Sequence, residues 1–223
     1  MLFKNRQQAG EKLAEKLKSL VQKGSLNLSD AVVIALPRGG LPVGLEVARA
    51  LKLPLDVCVV RKVGAPSQPE LAVAAVAEGG EIVVNEDISR LLGLSHEEIE
   101  KLAAPKRVEV DERVKKFRSG AAAIRVKDKT VILVDDGLAT GATALTAIHV
   151  LKKREAARII LAVPVCPAST VATFEAEVDK FVVLSTPEDF YAVGQWYINF
   201  DQVSDDQVQG YLQQAGEDAD ICA

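Results

Sequence analysis

The stretch VILVDDGLATGAT, residues Val131–Thr143, passes from apolar to acidic and then to glycine- and threonine-rich. Its apolar residues predict a buried strand that delivers Asp135 and Asp136 at the carboxyl edge of a sheet, where open α/β proteins bind their ligands. Two glycines then allow a tight turn, and a helix is predicted over Ala142–Arg154. The free backbone N–H groups at such a helix start suit a phosphate group.

The two adjacent acids restrict the kind of ligand. No lysine follows the second glycine, so the stretch is not a Walker A loop. Two carboxylates beside a phosphate cradle would repel a bare polyphosphate, whereas they suit ribose hydroxyls or a hydrated magnesium ion. The residues alone leave one alternative open, an ordinary strand–turn–helix with an acidic turn.

The other apolar runs of the chain are short and alternate with helical patterns. Strands are predicted at Ala31–Leu36, Leu55–Val60, Leu71–Ala77, Ile82–Val84, Thr130–Val134, Ile159–Val163 and Phe181–Leu184. Helices are predicted between Phe3 and Leu20, at Leu41–Leu51 and near Ser169–Glu175. Because buried strands alternate with helices, we predict an α/β fold, a parallel sheet with helices on both faces. Residues 1–223 are expected to form one domain, in which the strands at 71–84 make a hairpin.

Capping patterns mark two more helices. Ser95 with Glu98 forms a capping box that opens a long charged helical stretch, which Pro105 is expected to kink or split and Gly120 to end. Ser204 and Gln207 form a second capping box, which predicts a short final helix after it. The last residues, from Gly216, are expected to be disordered.

Composition excludes several classes of function. The chain of 223 residues carries 27 basic and 31 acidic residues, and no segment concentrates the basic ones, so neither nucleic acid nor a membrane surface is an expected partner. The cysteines and histidines are scattered, which excludes a zinc site: Cys58, Cys166, Cys222, His96 and His149. Three unpatterned cysteines and a charged start without an apolar core indicate a cytoplasmic protein without a signal peptide.

At every position Val131–Thr143 resembles the phosphoribosyl pyrophosphate motif of type I phosphoribosyltransferases: four apolar residues, two acids, three small or apolar residues, then Thr-Gly-x-Thr. The resemblance implies that Asp135 and Asp136 face the ribose hydroxyls, with Mg²⁺ nearby as cofactor. It also implies that the following residues wrap the 5-phosphate: Ala139, Thr140, Gly141, Ala142 and Thr143.

Two further segments resemble parts of the same family. ALPRGG resembles its pyrophosphate loop, in which Arg38 would bind the anion while Gly39 and Gly40 let backbone amides approach it. By itself this motif predicts only a turn. Arg61 and Lys62, taken to end a strand before a proline-rich loop, resemble the pair that precedes the catalytic loop of adenine-type enzymes.

That resemblance has one departure. Adenine-type enzymes usually have a Gly-Lys pair further on, whereas Gly64 is followed here by Ala65, so one expected cation is missing. The alternative for Arg61 and Lys62 is a pair of solvated charges at a strand end.

Five of the ten aromatic residues fall within Phe190–Phe200. One interpretation is a hood that stacks on a heterocycle through Trp196 or Tyr197. The other is a C-terminal segment clamped onto the core. The hood is expected to draw on the N- and C-terminal segments and on the helical stretch 86–119, and Cys166 is a weaker candidate to line the same pocket.

Most of the chain resembles a bacterial subfamily of predicted phosphoribosyltransferases, in the stretches FKNRQQAGEKLA, RKVGAPSQPELAVAAVAEGG and FYAVGQWYINFDQVSD. The resemblance implies transfer of phosphoribosyl from phosphoribosyl pyrophosphate to a nucleobase-like nitrogen acceptor, and by analogy a homodimer. The rival hypothesis is a non-catalytic protein that senses phosphoribosyl pyrophosphate, since fold does not fix function. A phosphatase would need a nucleophile or metal cluster that the sequence does not offer.

Overall fold

A five-stranded parallel sheet forms the centre of the molecule in the computed structural model, which describes residues 1–220. Its strands lie in the order β2–β1–β6–β7–β8. Their bounds are β1 Ala31–Ala35, β2 Leu55–Val57, β6 Thr130–Val134, β7 Arg158–Val165 and β8 Lys180–Ser185. The predicted α/β class and parallel sheet are confirmed.

Helices cover the sheet on both faces. They are α1 Arg6–Gln22, α2 Gly40–Leu51, α3 Glu86–Leu91, α4 His96–Arg118, α5 Ala142–Lys153, α6 Val171–Glu177 and α7 Asp205–Asp220. Alternate residues of one strand enter different cores, because side chains along a strand point to opposite faces. Val33 packs with α1 and α2, whereas its neighbour Val32 packs with α5.

A second, antiparallel sheet stands beside the first. It contains β3 Val60–Ala65, β4 Gln68–Ala77 and β5 Ile82–Val84. The predicted pairing of the strands near 71–84 is confirmed, with Ala75 opposite Val83. A single strand at Leu55–Val60 was wrong, because the chain leaves the parallel sheet after Val57 and enters the antiparallel one at Val60. Residues on both sides of this change are buried, so an apolar run does not reveal it.

The predicted position of Arg61 and Lys62 was also wrong. Both lie inside β3, with Val76 and Ala75 as their partners on β4, instead of at a strand end that opens into a loop. The strand continues to Ala65 and returns by a short turn.

Pro105 neither splits nor ends α4, which runs unbroken from His96 to Arg118. A proline removes one hydrogen bond to the carbonyl four residues earlier. Both Pro105 and Lys101 are exposed, so solvent can satisfy that carbonyl. The predicted capping box at Ser95 is present, with Glu98 accepting from the Ser95 backbone at 2.8 Å.

The C-terminal helix is longer than predicted, and the disorder predicted from Gly216 was wrong for residues 216–220. α7 continues through Gly216 to Asp220, while 221–223 lie outside the described residues. Ala215 is buried and Arg49 pairs with Asp218 at 2.6 Å, so this end of the helix is docked on α2. Among residues 1–220, no helix combines the length and apolarity needed to cross a bilayer.

Candidate functional site

Two loops meet at the carboxyl edge of the parallel sheet, one after β1 and one after β6. Gly39 approaches Asp136 so closely that a Cβ on Gly39 would lie 2.0 Å from its Oδ2. Gly40 lies against the backbone at the end of β6. A Cβ on Gly40 would lie 2.8 Å from the carbonyl oxygen of Val134. The structure therefore brings together Gly39, Gly40, Asp135 and Asp136, which the sequence assigned to one site from two separate motifs.

The two acids share a buried environment. Burial and the neighbouring Asp136 raise the pKa of Asp135 well above its ordinary value. Burial also raises the pKa of Asp136, against the opposing effect of Arg6. The Asp135 carboxylate accepts a hydrogen bond from the Asp136 backbone N–H at 2.8 Å. Two carboxylates held so close create a site with excess negative charge, which favours a ligand that brings hydroxyls or a cation.

Arg6, at the start of α1, is the cation that meets this pair. Its Nε donates to Oδ2 of Asp136 at 2.7 Å, and its NH1 donates to the carbonyl of Asp201 at 2.7 Å. Its guanidinium lies 3.8 Å from the centre of the Phe200 ring. Arg6 thus ties the first helix, the acidic loop and the C-terminal segment together.

The aromatic segment packs directly on the acidic loop. The Tyr197 hydroxyl donates to the backbone carbonyl of Asp136 at 2.5 Å, and its ring lies between Phe3 and Phe200. Tyr197 is only 5% exposed, so its ring and hydroxyl are both used inside the protein. Its neighbour Trp196 is partly buried and stacks on Phe190 with 6.2 Å between ring centres.

The loop at the start of α5 leaves its two threonine side chains accessible to solvent. Ala139, Thr140 and Thr143 are exposed, so the hydroxyls are not turned into the core. Gly141 has φ of +70°, a left-handed conformation that favours glycine. A side chain there would also collide with the ring of Phe174, 2.2 Å from the Cβ position.

Comparison with known proteins identifies the family. The model described as "Phosphoribosyl transferase domain" matches residues 3–201. The chain belongs to the phosphoribosyl transferase family. A crystal structure of TT1426 from Thermus thermophilus superposes with a TM-score of 0.88 and 40% identity, covering 96% of this chain and 99% of that one.

Relatives from two strains of Mycobacterium tuberculosis carry the provisional name of a phosphoribosyl transferase. Each is 43% identical over 217 residues, covering 97% of this chain and 48% of the relative. The chain therefore spans about half the length of these curated relatives. The family membership agrees with the resemblance seen in the sequence.

Two of the basic side chains that the resemblance assigns to the leaving group are paired with different acids. Arg38, in the loop after β1, lies 3.5 Å from Asp205 at the start of α7. Arg61, on β3, lies 3.6 Å from Glu109 on α4 and donates to the carbonyl of Val60. Each cation is thus paired with an acid on a helix, Arg38 on α7 and Arg61 on α4.

The acidic loop fits the donor chemistry of magnesium as far as its residues go. Asp135 and Asp136 carry carboxylate oxygens, and magnesium is usually held by one or two carboxylates together with substrate phosphates. Among residues 1–220 there is no group of three or more His, Cys, Asp or Glu side chains that could hold a metal ion without such help.

Sequence reasoning missed the contacts that Arg6 and Asp205 make at this edge of the sheet. Arg6 meets a partner 130 positions away, and Asp205 meets Arg38 across 167 positions. No local pattern encodes such pairs. The only signal for Arg6 was its place in the stretch FKNRQQAGEKLA, which matched the subfamily without assigning it a role.

Proposed function

We propose that this protein transfers a phosphoribosyl group from phosphoribosyl pyrophosphate to a nitrogen of a nucleobase-like heterocycle and releases pyrophosphate. The bond between C1 of the ribose and the pyrophosphate oxygen breaks, and its electron pair leaves with the pyrophosphate. The acceptor nitrogen forms the new bond to C1, and its proton passes to water.

The observation that carries the proposal is the contact between the two loops at the sheet edge. Gly39 and Asp136 leave no room for a side chain between them, so the loop assigned to pyrophosphate and the loop assigned to ribose phosphate form one continuous surface. A phosphoribosyl pyrophosphate molecule needs both functions side by side. Asp135 and Asp136 would stabilise positive charge that develops at C1 through the ribose hydroxyls.

The remaining assignments complete the same site. Ala139–Thr143 would hold the 5-phosphate through backbone N–H groups and the exposed threonines, and Arg38, Arg61 and Lys62 would stabilise the leaving pyrophosphate. Magnesium, when bound with the substrate, would neutralise part of the pyrophosphate charge. Asp135 and Asp136 are the residues that would help to hold it.

For the acceptor we propose Trp196. The segment that contains it packs on the acidic loop, because a Cβ on Gly137 would lie 2.6 Å from Val193 and Tyr197 bonds to the Asp136 carbonyl. Tyr197 is enclosed by other rings, which leaves Trp196 as the member of the pair that could stack on a base. Trp196→Ala should lose base binding while Trp196→Phe keeps part of it, and loss of folding in both would identify a structural clamp.

One assay separates transfer from regulation. The protein is incubated with magnesium, phosphoribosyl pyrophosphate and a panel of purine and pyrimidine bases, and pyrophosphate release is measured. Base-dependent release supports the transferase. Tight binding of phosphoribosyl pyrophosphate without release on any base would select the regulator, a hypothesis that the absence of a lysine after Gly64 favours. Absence of binding would overturn both.

A crystal soaked with sulfate provides a second test of the same site. The anion is expected at the backbone of Ala139–Thr143. Sulfate bound elsewhere, with this loop empty, would contradict the assignment of the 5-phosphate cradle.

A further inference from the structure

The carboxylate of Asp205 lies between two cations that belong to different parts of the molecule. Its Oδ2 is 2.8 Å from Nζ of Lys116 on α4, and its Oδ1 is 3.5 Å from NH1 of Arg38 in the loop after β1. Lys116 and Arg38 are close enough for their charges to oppose each other. One carboxylate therefore bridges two like charges, as an oxygen-rich anion would.

More positive charge stands beside this bridge. Arg113, one turn before Lys116 on α4, acts electrostatically on both Asp205 and Arg61. Burial and Arg113 lower the pKa of the Arg61 guanidinium, against the opposing effect of Glu109. The hood helix α4 thus adds two cations to those that the sequence assigned to the leaving group.

From this arrangement we infer that Lys116 belongs with Arg38 to the pyrophosphate-binding surface and that Asp205 is an internal competitor which pyrophosphate must displace. The inference rests on the proposed function, because it assigns further residues to the same site. Lys116 would then supply a cation from α4 in place of the lysine that is missing after Gly64. Asp205, at the start of α7, would then lower the affinity for pyrophosphate.

Asp205 is not needed to start or to dock α7. Ser204 caps the helix, accepting from the Gln207 backbone at 3.1 Å, and Gln207 accepts from the Ser204 backbone at 2.8 Å. Val208 and Ala215 are buried, and Arg49 pairs with Asp218 further along. These contacts anchor the helix without the Asp205 bridge.

The bridge is also open to exchange. The side chain of Asp205 is 28% exposed, and those of Arg38 and Lys116 are 32% and 51% exposed. Ion pairs of this exposure contribute little to stability. A pyrophosphate group carries several negative charges and many acceptor oxygens, so it can replace one carboxylate between the same two cations.

The test is calorimetric titration of pyrophosphate, phosphoribosyl pyrophosphate and ribose 5-phosphate into wild-type protein and four variants, with magnesium at constant ionic strength. Asp205→Asn should bind pyrophosphate and phosphoribosyl pyrophosphate about fivefold more tightly or better, because two competing contacts are lost. Lys116→Met should bind them more weakly. Ribose 5-phosphate should bind all proteins alike, since it lacks the pyrophosphate.

Asp206→Asn is the matched control, because Asp206 lies exposed in the same turn of α7 and carries the same charge. Its effect on pyrophosphate affinity should stay below about twofold, the level expected for a screened charge. In Lys116→Met/Asp205→Asn the gain should shrink, because one of the two cations is gone. Circular dichroism confirms that each variant is folded.

The outcomes separate this inference from the proposed function. Wild-type binding of phosphoribosyl pyrophosphate with an unchanged or weaker affinity in folded Asp205→Asn would overturn the competitor and leave the function standing. Equal gains in Asp205→Asn and Asp206→Asn would overturn it as well, since charge alone would then explain them. Failure of wild type and every variant to bind either ligand would overturn the proposed function.

Discussion

A 2.7 Å hydrogen bond between opposite charges joins Arg6 to Asp136, 130 positions away. Both side chains are largely buried, 11% and 13% exposed. The bond connects the first helix to the second acid of the acidic loop. The bond offsets part of the increase in the pKa of Asp136 that burial causes. Arg6 is therefore hydrogen-bonded to one acid of the pair and acts on the other, Asp135, through its charge alone.

A double-mutant cycle of Arg6→Gln and Asp136→Asn measures this bond. We expect a coupling energy of about 1.5–3 kcal/mol from urea unfolding, because a charge-assisted bond is lost from a largely buried site. The control is Arg49→Gln with Asp218→Asn, whose side chains are 38% and 42% exposed. That pair should give about 0.2–1 kcal/mol. Equal coupling in the two cycles would show that Arg6 does not hold Asp136.

Asp135→Asn should raise stability and weaken binding together. A raised pKa means that folding disfavours the carboxylate, so wild-type stability falls as pH rises from about 4, the ordinary pKa, through the raised value. Asparagine removes that cost and keeps the oxygen that accepts from the Asp136 N–H. The free energy of unfolding of the variant relative to wild type should therefore be larger at pH 8 than at pH 4.

The same variant should bind phosphoribosyl pyrophosphate about tenfold more weakly or worse, since each charge-assisted contact contributes about 1.5–3 kcal/mol. Asp30→Asn, at a surface pair with Lys129, is the control for both measurements and should change neither. An Asp135→Asn protein with wild-type affinity would remove Asp135 from the site.

Gly39→Ala tests the close approach of the two loops. Gly39 has φ of −63° and ψ of −30°, which alanine adopts easily, so any effect comes from space and not from backbone conformation. The new methyl group would displace the Asp136 carboxylate, and phosphoribosyl pyrophosphate affinity should fall by about tenfold or more. Gly210→Ala is the control, because nothing lies within 4 Å of its Cβ position.

Gly210→Ala should stabilise helix α7 by about 0.5–1 kcal/mol and leave the affinity unchanged. If Gly39→Ala binds like wild type, the two loops do not form one surface.

Tyr197→Phe removes a single hydroxyl and tests the support of the acidic loop. The backbone carbonyl of Asp136 would lose its partner in a buried place, at a cost of about 1–3 kcal/mol in unfolding free energy. Tyr191→Phe, at a side chain that is 88% exposed, is the matched control and should change nothing measurable. A Tyr197→Phe protein as stable as the control would mean that the hydroxyl does not support the loop.

Local patterns predicted the strand, the turn and the helix start around Asp135 correctly. The strand before Asp135, the turn and the helix start occur as an uninterrupted run, so sequence order and spatial order coincide. The capping boxes at Ser95 and Ser204 were visible for the same reason. These features depend on residues within a few positions of each other.

Features that depend on distant partners were not predictable in this way. The change of sheet between Val57 and Val60 leaves no trace, since residues on both sides are buried. The bridge from Asp205 to Arg38 and Lys116 joins three elements, and each charge looks like a surface charge in its own segment. Pro105 was predicted to kink or split the helix, and the split was wrong, because α4 exposes Lys101 and Pro105 to solvent at this point.

The contacts of Phe3 and Arg6 with residues 196–201 determine the order in which parts of the chain can fold. The Phe3 backbone N–H donates to the Trp196 carbonyl at 2.8 Å, and Arg6 reaches the Asp201 carbonyl across 195 positions. Such contacts form slowly, because closing a long loop costs much conformational entropy. During translation the strand, turn and helix of residues 131–143 emerge well before residues 196–201, so a nascent chain has its acidic loop before the aromatic segment can pack on Asp136. The acidic loop should consequently reach its final packing late in biosynthesis, once residues 3–6 contact residues 196–201.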